Sequence, residues 1–294
     1  MKYRIEHRTE YVYSEPVLSG HNEARLLPRV FGRQTCANAH LSVDPKPVDQ
    51  RERADFFGNR VMYFTVQQPH SRLVVTAHSE VEVTPRIPQL DVDGDQPWED
   101  VRALITGATD AAGLDARQYV LNSPMVSASR DLENYALISF SRGRPLLDCV
   151  QDLMQRIHKD FVYDPAFTTI ATPLATVLKH RRGVCQDFAQ LAIGCLRAIG
   201  LAARYVSGYI ETLPPPGMPR LVGADASHAW FSVYVPGSGW LDFDPTNNQM
   251  PAERHVTVAW GRDFADVTPL KGVIFGSGNH ELSVAVDMQP LSAA

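Results

Sequence analysis

Cysteine is scarce in this chain. The four that occur, at positions 36, 149, 185 and 195 of 294 residues, form no Cys-x-x-Cys pair. That spacing excludes a zinc ribbon and argues against a disulfide framework, and it fits a reduced, cytoplasmic protein. Long apolar runs are lacking as well, and none approaches the roughly 20 residues needed to cross a bilayer. The opening residues, Met1 to Arg8, carry too many charges for a secretory leader. Positive charge is not in excess. Twenty-eight Lys and Arg stand against 33 Asp and Glu, a net charge of −5 that leaves no electrostatic footprint for nucleic acid. No acidic loop has the ligand spacing of a calcium site, so neither metal nor cofactor is expected.

The chemistry that is present begins at Cys185, in the segment Gly183-Val184-Cys185-Gln186-Asp187-Phe188-Ala189. Phe188, Leu191, Ala192, Cys195, Leu196 and Ile199 follow at helical spacing, and Gly200 stands where a helix stops. Cys185 therefore falls in the first turn of a buried helix. Unpaired N–H groups there favour negative charge, and the thiolate is the nucleophilic form of a thiol. Cys195 lies on the apolar stripe and reads as packing. Cys149 flanks the stripe of its own helix, and Cys36 lies in a strand.

A base is needed beside such a nucleophile. Two alternating runs, Ser227 to Val235 and Gly239 to Asp244, flank Pro236-Gly237-Ser238-Gly239 and predict a hairpin. Ala229, Phe231, Val233 and Val235 share its core face with Leu241 and Phe243. His228, Trp230, Ser232 and Tyr234 share the other face with Trp240, Asp242 and Asp244. His228 and Asp244 both lie far from the turn, within reach as cross-strand neighbours. A carboxylate there can hold an imidazole in one tautomer, and the imidazole can take the proton of a thiol.

The Gly-Val-Cys-Gln-Asp-Phe-Ala helix start, the Ser-His-Ala-Trp-Phe-Ser-Val-Tyr-Val strand and the Gly-Trp-Leu-Asp-Phe-Asp-Pro-Thr-Asn-Asn strand together resemble the transglutaminase-like superfamily of papain-type folds. The N-terminal residues 1–17 and the C-terminal residues 254–287 are similar to bacterial members that carry an extra N-terminal β domain. The resemblance covers nearly the whole chain. It implies Cys185 as nucleophile, His228 as base and Asp244 as the carboxylate that orients it, and it favours Asp244 over Asp242. It also implies an oxyanion donor upstream of the cysteine, for which Tyr163 is the candidate beside the Cys185 backbone N–H. Trp230 either walls the acyl site or covers the imidazole. The implied activity is acyl transfer on peptide or carboxamide bonds through a thioester, with a protein or peptide as partner. Hydrolysis is the favoured outcome. A protein-glutamine transglutaminase with an amine acceptor and a non-catalytic peptide-binding module are the alternatives.

The expected fold is α+β: a papain-like transglutaminase core, with the nucleophile helix on an antiparallel sheet, after an N-terminal β-sandwich-like domain. Residues 1–88 read as the β domain, 89–141 as linker and short helices, and 142–294 as the catalytic domain. Tyr3, Ile5, His7, Thr9, Tyr11 and Tyr13 alternate with charged residues in the first strand. Thr172 and Pro173 read as the N-cap and first residue of a helix. Gly276 to Asn279 reads as a hairpin turn, and the Pro214 to Gly217 loop as a border of the cleft.

Overall fold

The computed structural model describes residues 1–85, 96–212 and 227–291. The Pro214–Gly217 loop and most of the Pro85–Pro97 boundary lie outside the described residues. Period-two alternation builds the first six strands: β1 (Lys2–Val17), β2 (Ser19–Ala24), β3 (Gln34–Asp44), β4 (Asp49–Ala54), β5 (Arg60–Val66) and β6 (His70–Val83). In β1, Tyr3, Ile5, His7 and Thr9 are all buried while Lys2, Arg4 and Glu6 are exposed, so one face of the pleat seeks a core.

The helices and strands that follow are α1 (Trp98–Gly107), α2 (Ala111–Arg117), α3 (Arg130–Leu137), α4 (Leu146–Asp160), β7 (Val162–Tyr163), α5 (Leu174–His180), β8 (Arg182–Gly183), α6 (Cys185–Ala198), β9 (Ala203–Ile210), β10 (Ser227–Val235), β11 (Gly239–Phe243), β12 (His255–Gly261), α7 (Phe264–Val267), β13 (Leu270–Phe275) and β14 (His280–Leu291). The α+β order of the sequence is thus observed. In α4 the apolar spacing predicts Leu146, Leu147, Val150, Leu153, Met154 and Ile157 inward; all are buried except Leu147, which is only partly so.

The last two strands depart from the expected organisation. The sequence assigned everything after residue 142 to the catalytic unit, but β13 pairs with β2 and β14 pairs with β1. The two sandwich sheets run β14-β1-β6-β3 and β13-β2-β5-β4. Their shared core holds Tyr13, Leu41, Phe64, Leu73 and Leu270. The physical reason is the length of β1. It pairs along one edge with β6 and would otherwise leave a long unpaired edge on the other side, which β14 covers. Gly276 to Asn279 therefore joins strands of two different sheets and is not a hairpin turn.

The third sheet, β11-β10-β9-β12, is antiparallel and carries α6 packed against β9 and β10. Helix α6 is buried along nearly its whole length. It ends as the sequence suggested: Gly200 has φ +82°, its N–H bonds Arg197 O, and Leu201 N–H bonds Leu196 O. That is the paired arrangement in which glycine relieves the left-handed strain. Helix α5 starts one residue later than expected, with Pro173 in the cap position. Thr172 instead closes the turn upstream, its hydroxyl accepting from Thr169 N at 2.9 Å.

The sandwich braces this third sheet. The Gln34 amide bonds both N–H and C=O of Thr257, at 2.8 and 2.7 Å. The Asn59 amide does the same for Trp260, at 2.9 Å each way. Two side-chain amides thus satisfy the free edge of β12 as a further strand would. Tyr3 donates to Glu211 at 2.9 Å, and His7 meets the Tyr209 hydroxyl at 2.9 Å. The N-terminal region thus braces the sheet that bears His228.

Candidate active site

Cys185 is the first residue of α6, after an extended Val184. Its helix start is built by Asp187, whose Oδ2 accepts from Val184 N at 2.8 Å and from Thr168 Oγ1 at 2.7 Å. Burial raises the pKa of Asp187, against the pull of those two bonds. Gly183 is required beside it: a Cβ there would meet Asp187 Cβ at 2.8 Å. The short parallel pair β7–β8 sets Tyr163 opposite Gly183, two residues from the thiol. Cys185 itself is half-buried, reachable from outside while resting on the core.

His228 enters from β10 and is buried. Its Nε2 lies 2.7 Å from Asp244 Oδ2, and the Cys185 thiol is near enough to act on the ring. Burial opposes a charge on this ring. The bond to Asp244 and then the neighbouring Cys185 thiol outweigh it and raise the imidazole to about 10. Of the three side chains expected from the sequence, His228 and Asp244 are therefore hydrogen-bonded, and Cys185 is close enough to influence the imidazole.

Asp244 shows how Asp-Pro-Thr-Asn works as a local structure. Its Oδ1 accepts from Thr246 N at 3.0 Å and Asn247 N at 3.2 Å, which makes the side chain part of the turn. Its Oδ2 is then aimed into the interior, where it accepts from His228, from Asn247 Nδ2 at 2.7 Å and from His255 Nε2 at 3.2 Å. The carboxylate is fully buried. Burial alone would raise its pKa, but the bonds from His228 and His255 hold it well below the usual carboxylate range.

Asp242, the rival carboxylate, is taken elsewhere. It accepts from Ser232 Oγ and from Arg33 Nη2 at 3.4 Å. Trp230 is completely buried, so it does not wall the acyl site, and of the two expectations for it covering the imidazole is the one the geometry supports. Its ring lies tilted on His228 at 6.0 Å and edge-on to His255 at 5.3 Å. Tyr163 is not a core tyrosine: it is 53% exposed, with its ring against Phe188 and its hydroxyl raised in pKa by burial and by the proximity of Cys185. Cys195 is sealed in the core, and burial pushes its thiol up to about 12. His255 and Asn247 were not singled out from the sequence. Asn247 had a signal in the Asp-x-x-Asn turn. His255 had none, because it reaches Asp244 from a different strand.

The comparisons with known proteins follow this geometry. Residues 3–82 match the bacterial transglutaminase-like N-terminal region, and residues 139–245 match the transglutaminase-like superfamily. An uncharacterized protein of Mycobacterium tuberculosis is 44% identical over 98% of this chain and 93% of its own. The chain belongs to the transglutaminase-like superfamily, in its bacterial form with the N-terminal β region. A protein-glutamine gamma-glutamyltransferase of Pseudomonas aeruginosa is 36% identical over 106 residues, 35% of this chain and 16% of that protein. A solved structure from Cytophaga hutchinsonii, described as a candidate cysteine protease, superposes with a TM-score of 0.75 over 98% of both chains at 20% identity and shares the fold. No helix among the described residues is long and apolar enough to cross a membrane.

Proposed function

We propose that this protein is a cysteine-dependent acyl-transfer enzyme acting on peptide or carboxamide bonds, with Cys185 as nucleophile, His228 as general acid and base, and Asp244 as the carboxylate that orients the imidazole. The observation that carries this reading is the buried His228–Asp244 hydrogen bond of 2.7 Å with the half-buried Cys185 thiol close enough to act on the same imidazole, the three side chains coming from separate elements. A packing cysteine has no need of an imidazole, and a surface histidine has no need of a buried carboxylate.

The chemistry follows from the arrangement. A protonated His228 beside the sulfur makes an imidazolium–thiolate pair the reactive form. The sulfur attacks the carbonyl carbon and a C–S bond forms. Negative charge on the carbonyl oxygen is met by the Cys185 N–H, which has no partner within its own helix. Tyr163 is the second donor in this reading. His228 then gives its proton to the leaving amine as the C–N bond breaks, leaving a thioester. Water, deprotonated by His228, attacks the thioester, the C–S bond breaks, and a carboxylic acid is released. The substrate is a protein or peptide, no metal or cofactor takes part, and the absence of any disulfide among the four cysteines fits a cytoplasmic setting.

Hydrolysis is favoured because water is always present. The amine-acceptor reading draws its support from the Pseudomonas relative's name and its 106 matched residues. The test is intact-mass trapping of the acyl-enzyme with a peptide and amide library on wild-type and Cys185→Ala protein, followed by a glutamine peptide with a fluorescent amine. An adduct on the wild type alone supports the enzyme. Absence of any adduct, together with iodoacetamide labelling of Cys185 no faster than a model thiol, would favour a peptide-binding module. Labelled amine product would turn the assignment to transamidation.

A further inference from the structure

His255 is the least explained group near the site. It opens β12 opposite Ile210, is buried, and sits in no place where the triad reading requires a side chain. Its Nε2 nevertheless points at the same oxygen, Asp244 Oδ2, that His228 uses, at 3.2 Å against 2.7 Å. The two rings stand 6.1 Å apart, and Trp230 packs edge-on against His255 to fix its plane.

We propose that His255 is a positioning residue of this site: a neutral imidazole whose Nε2–H shares Asp244 Oδ2 with His228 and so limits the grip of the carboxylate on the reacting ring. The inference rests on the acyl-transfer reading above.

Three observations carry it. First, Nδ1 of His255 is buried with no hydrogen-bond partner among the described residues. A proton there would be a buried donor left unmade, whereas a bare lone pair costs less. The ring is therefore held as the tautomer that donates from Nε2. Second, the charged groups facing it are Asp244, His228 and, farther off, Asp242. His228 already supplies the positive charge that Asp244 takes up, and burial lowers the pKa of His255. Third, the three groups have the atom types of a metal site, yet the Asn247 Nδ2 donor lies 2.7 Å from Asp244 Oδ2 and 3.3 Å from His228 Nε2. An amide N–H aimed at the meeting point of the would-be ligands suits shared hydrogen bonds and repels a cation.

The consequence is a moderated acid. A carboxylate bound by His228 alone would hold the imidazolium so firmly that proton delivery to the leaving amine would slow. An oxygen that also accepts from His255 and Asn247 has less to give.

Nitrogen-15 and proton NMR of the full chain tests this directly. In the wild type, His255 should remain neutral with the proton on Nε2 from pH 5 to 9. His255→Leu should move the His228 titration upward by about half a pH unit or more and flatten kcat with little change in KM. His255→Gln, which keeps a donor near the same place, should return both towards wild type. A His255 that protonates near neutral pH overturns the proposal, as does a His228 midpoint in folded His255→Leu that stays put or falls. The wild-type tautomer reading stands even if His255→Leu does not fold. Since the titrations need no turnover, a protein that passes them but never acylates Cys185 would sink the enzyme assignment and leave the hydrogen-bond role intact.

Discussion

Asp244 and His228 meet diagonally across β10 and β11. The last regular pair is Phe231 with Phe243, so the register carried one step further sets Asp244 opposite Trp230 and leaves His228 two residues along. The pair closes at 2.7 Å because the Asp244 main chain turns there: its N–H and C=O both bond Gln249, at 2.8 and 3.2 Å. The carboxylate is thereby fixed by backbone on one side and by imidazole on the other.

Asp244→Asn should be severe but not complete. The turn can survive, since an amide oxygen can still accept from Thr246 N and Asn247 N. The charge that holds His228 protonated is lost, and the amide can present a donor to the ring in the wrong tautomer. We expect kcat to fall by about 10³-fold, while Cys185→Ala removes acylation altogether. Steady-state kinetics on a trapped peptide substrate, with circular dichroism to check the fold, measures both. A folded Asp244→Asn protein with wild-type kcat would exclude an orienting role for this carboxylate.

The same pair sets a pH dependence with a definite sign. The His228 pKa is raised, to about 10, so its proton contributes stability that is fully present below the ordinary histidine value and is lost as pH rises through about 10. The Asp244 pKa is held below its ordinary value, so the acid side of the same interaction is present above that value and lost as pH falls beneath it. These are two limbs of one interaction and count once. Thermal unfolding of wild type and Asp244→Asn across about pH 2 to 10.5 should show the stability gap between them shrinking at both ends. A gap that stays constant over that range would mean the pair adds nothing to folding.

Tyr163→Phe tests the oxyanion assignment. Tyr163 is a half-exposed residue on a two-residue strand beside Gly183, so loss of its hydroxyl should leave the fold untouched. If it meets the developing oxyanion, kcat should drop about 10²–10³-fold with KM little changed. An unaltered kcat would hand the second donor to another group.

Much of this architecture was legible because the signals were local. The stripe from Phe188 to Ile199 and the stop at Gly200 fix α6 and put Cys185 at its first turn. The alternation of β10 and β11 fixes which face carries His228 and Asp244. The parts that escaped depend on meetings between distant residues. His255 joins Asp244 through the β12–β9 pairing. The amide clamps of Gln34 and Asn59 act on main chain more than 200 positions away. The assignment of β13 and β14 to the C-terminal unit failed for the same reason: their composition says strand, but only the open edges of β1 and β2 say where.

That pairing has a consequence for truncation. A chain ended at Pro269 keeps Cys185, His228, Asp244 and His255, so a catalytic unit running to the C-terminus would merely be shortened. In the observed topology it strips β13 from β2 and β14 from β1 and removes Leu270, Val286 and Met288 from the buried core. We expect aggregation or a loss of cooperative unfolding, with the site lost as a result. Recovery of a folded, soluble protein would show that the sandwich does not need its last two strands.

Gly208 links the sheet to the site most directly. It faces His228 across β9–β10 and Thr257 across β9–β12, in a strand interior where glycine gives little stability of its own. Its purpose is space. A Cβ there would meet Val256 O at 2.1 Å and the Trp230 ring at 2.5 Å, and the backbone contact cannot swing aside. Gly208→Ala should therefore spread β9 from β12 and push Trp230 against His228 and His255. We expect a loss of about 3 kcal/mol in unfolding free energy, at the upper end for overpacking, and a fall in kcat in the fraction that stays folded. Urea unfolding paired with the His228 NMR titration separates the two effects. A variant that loses stability but keeps the His228 titration of the wild type would show that Trp230 supports the sheet without holding the imidazoles in place.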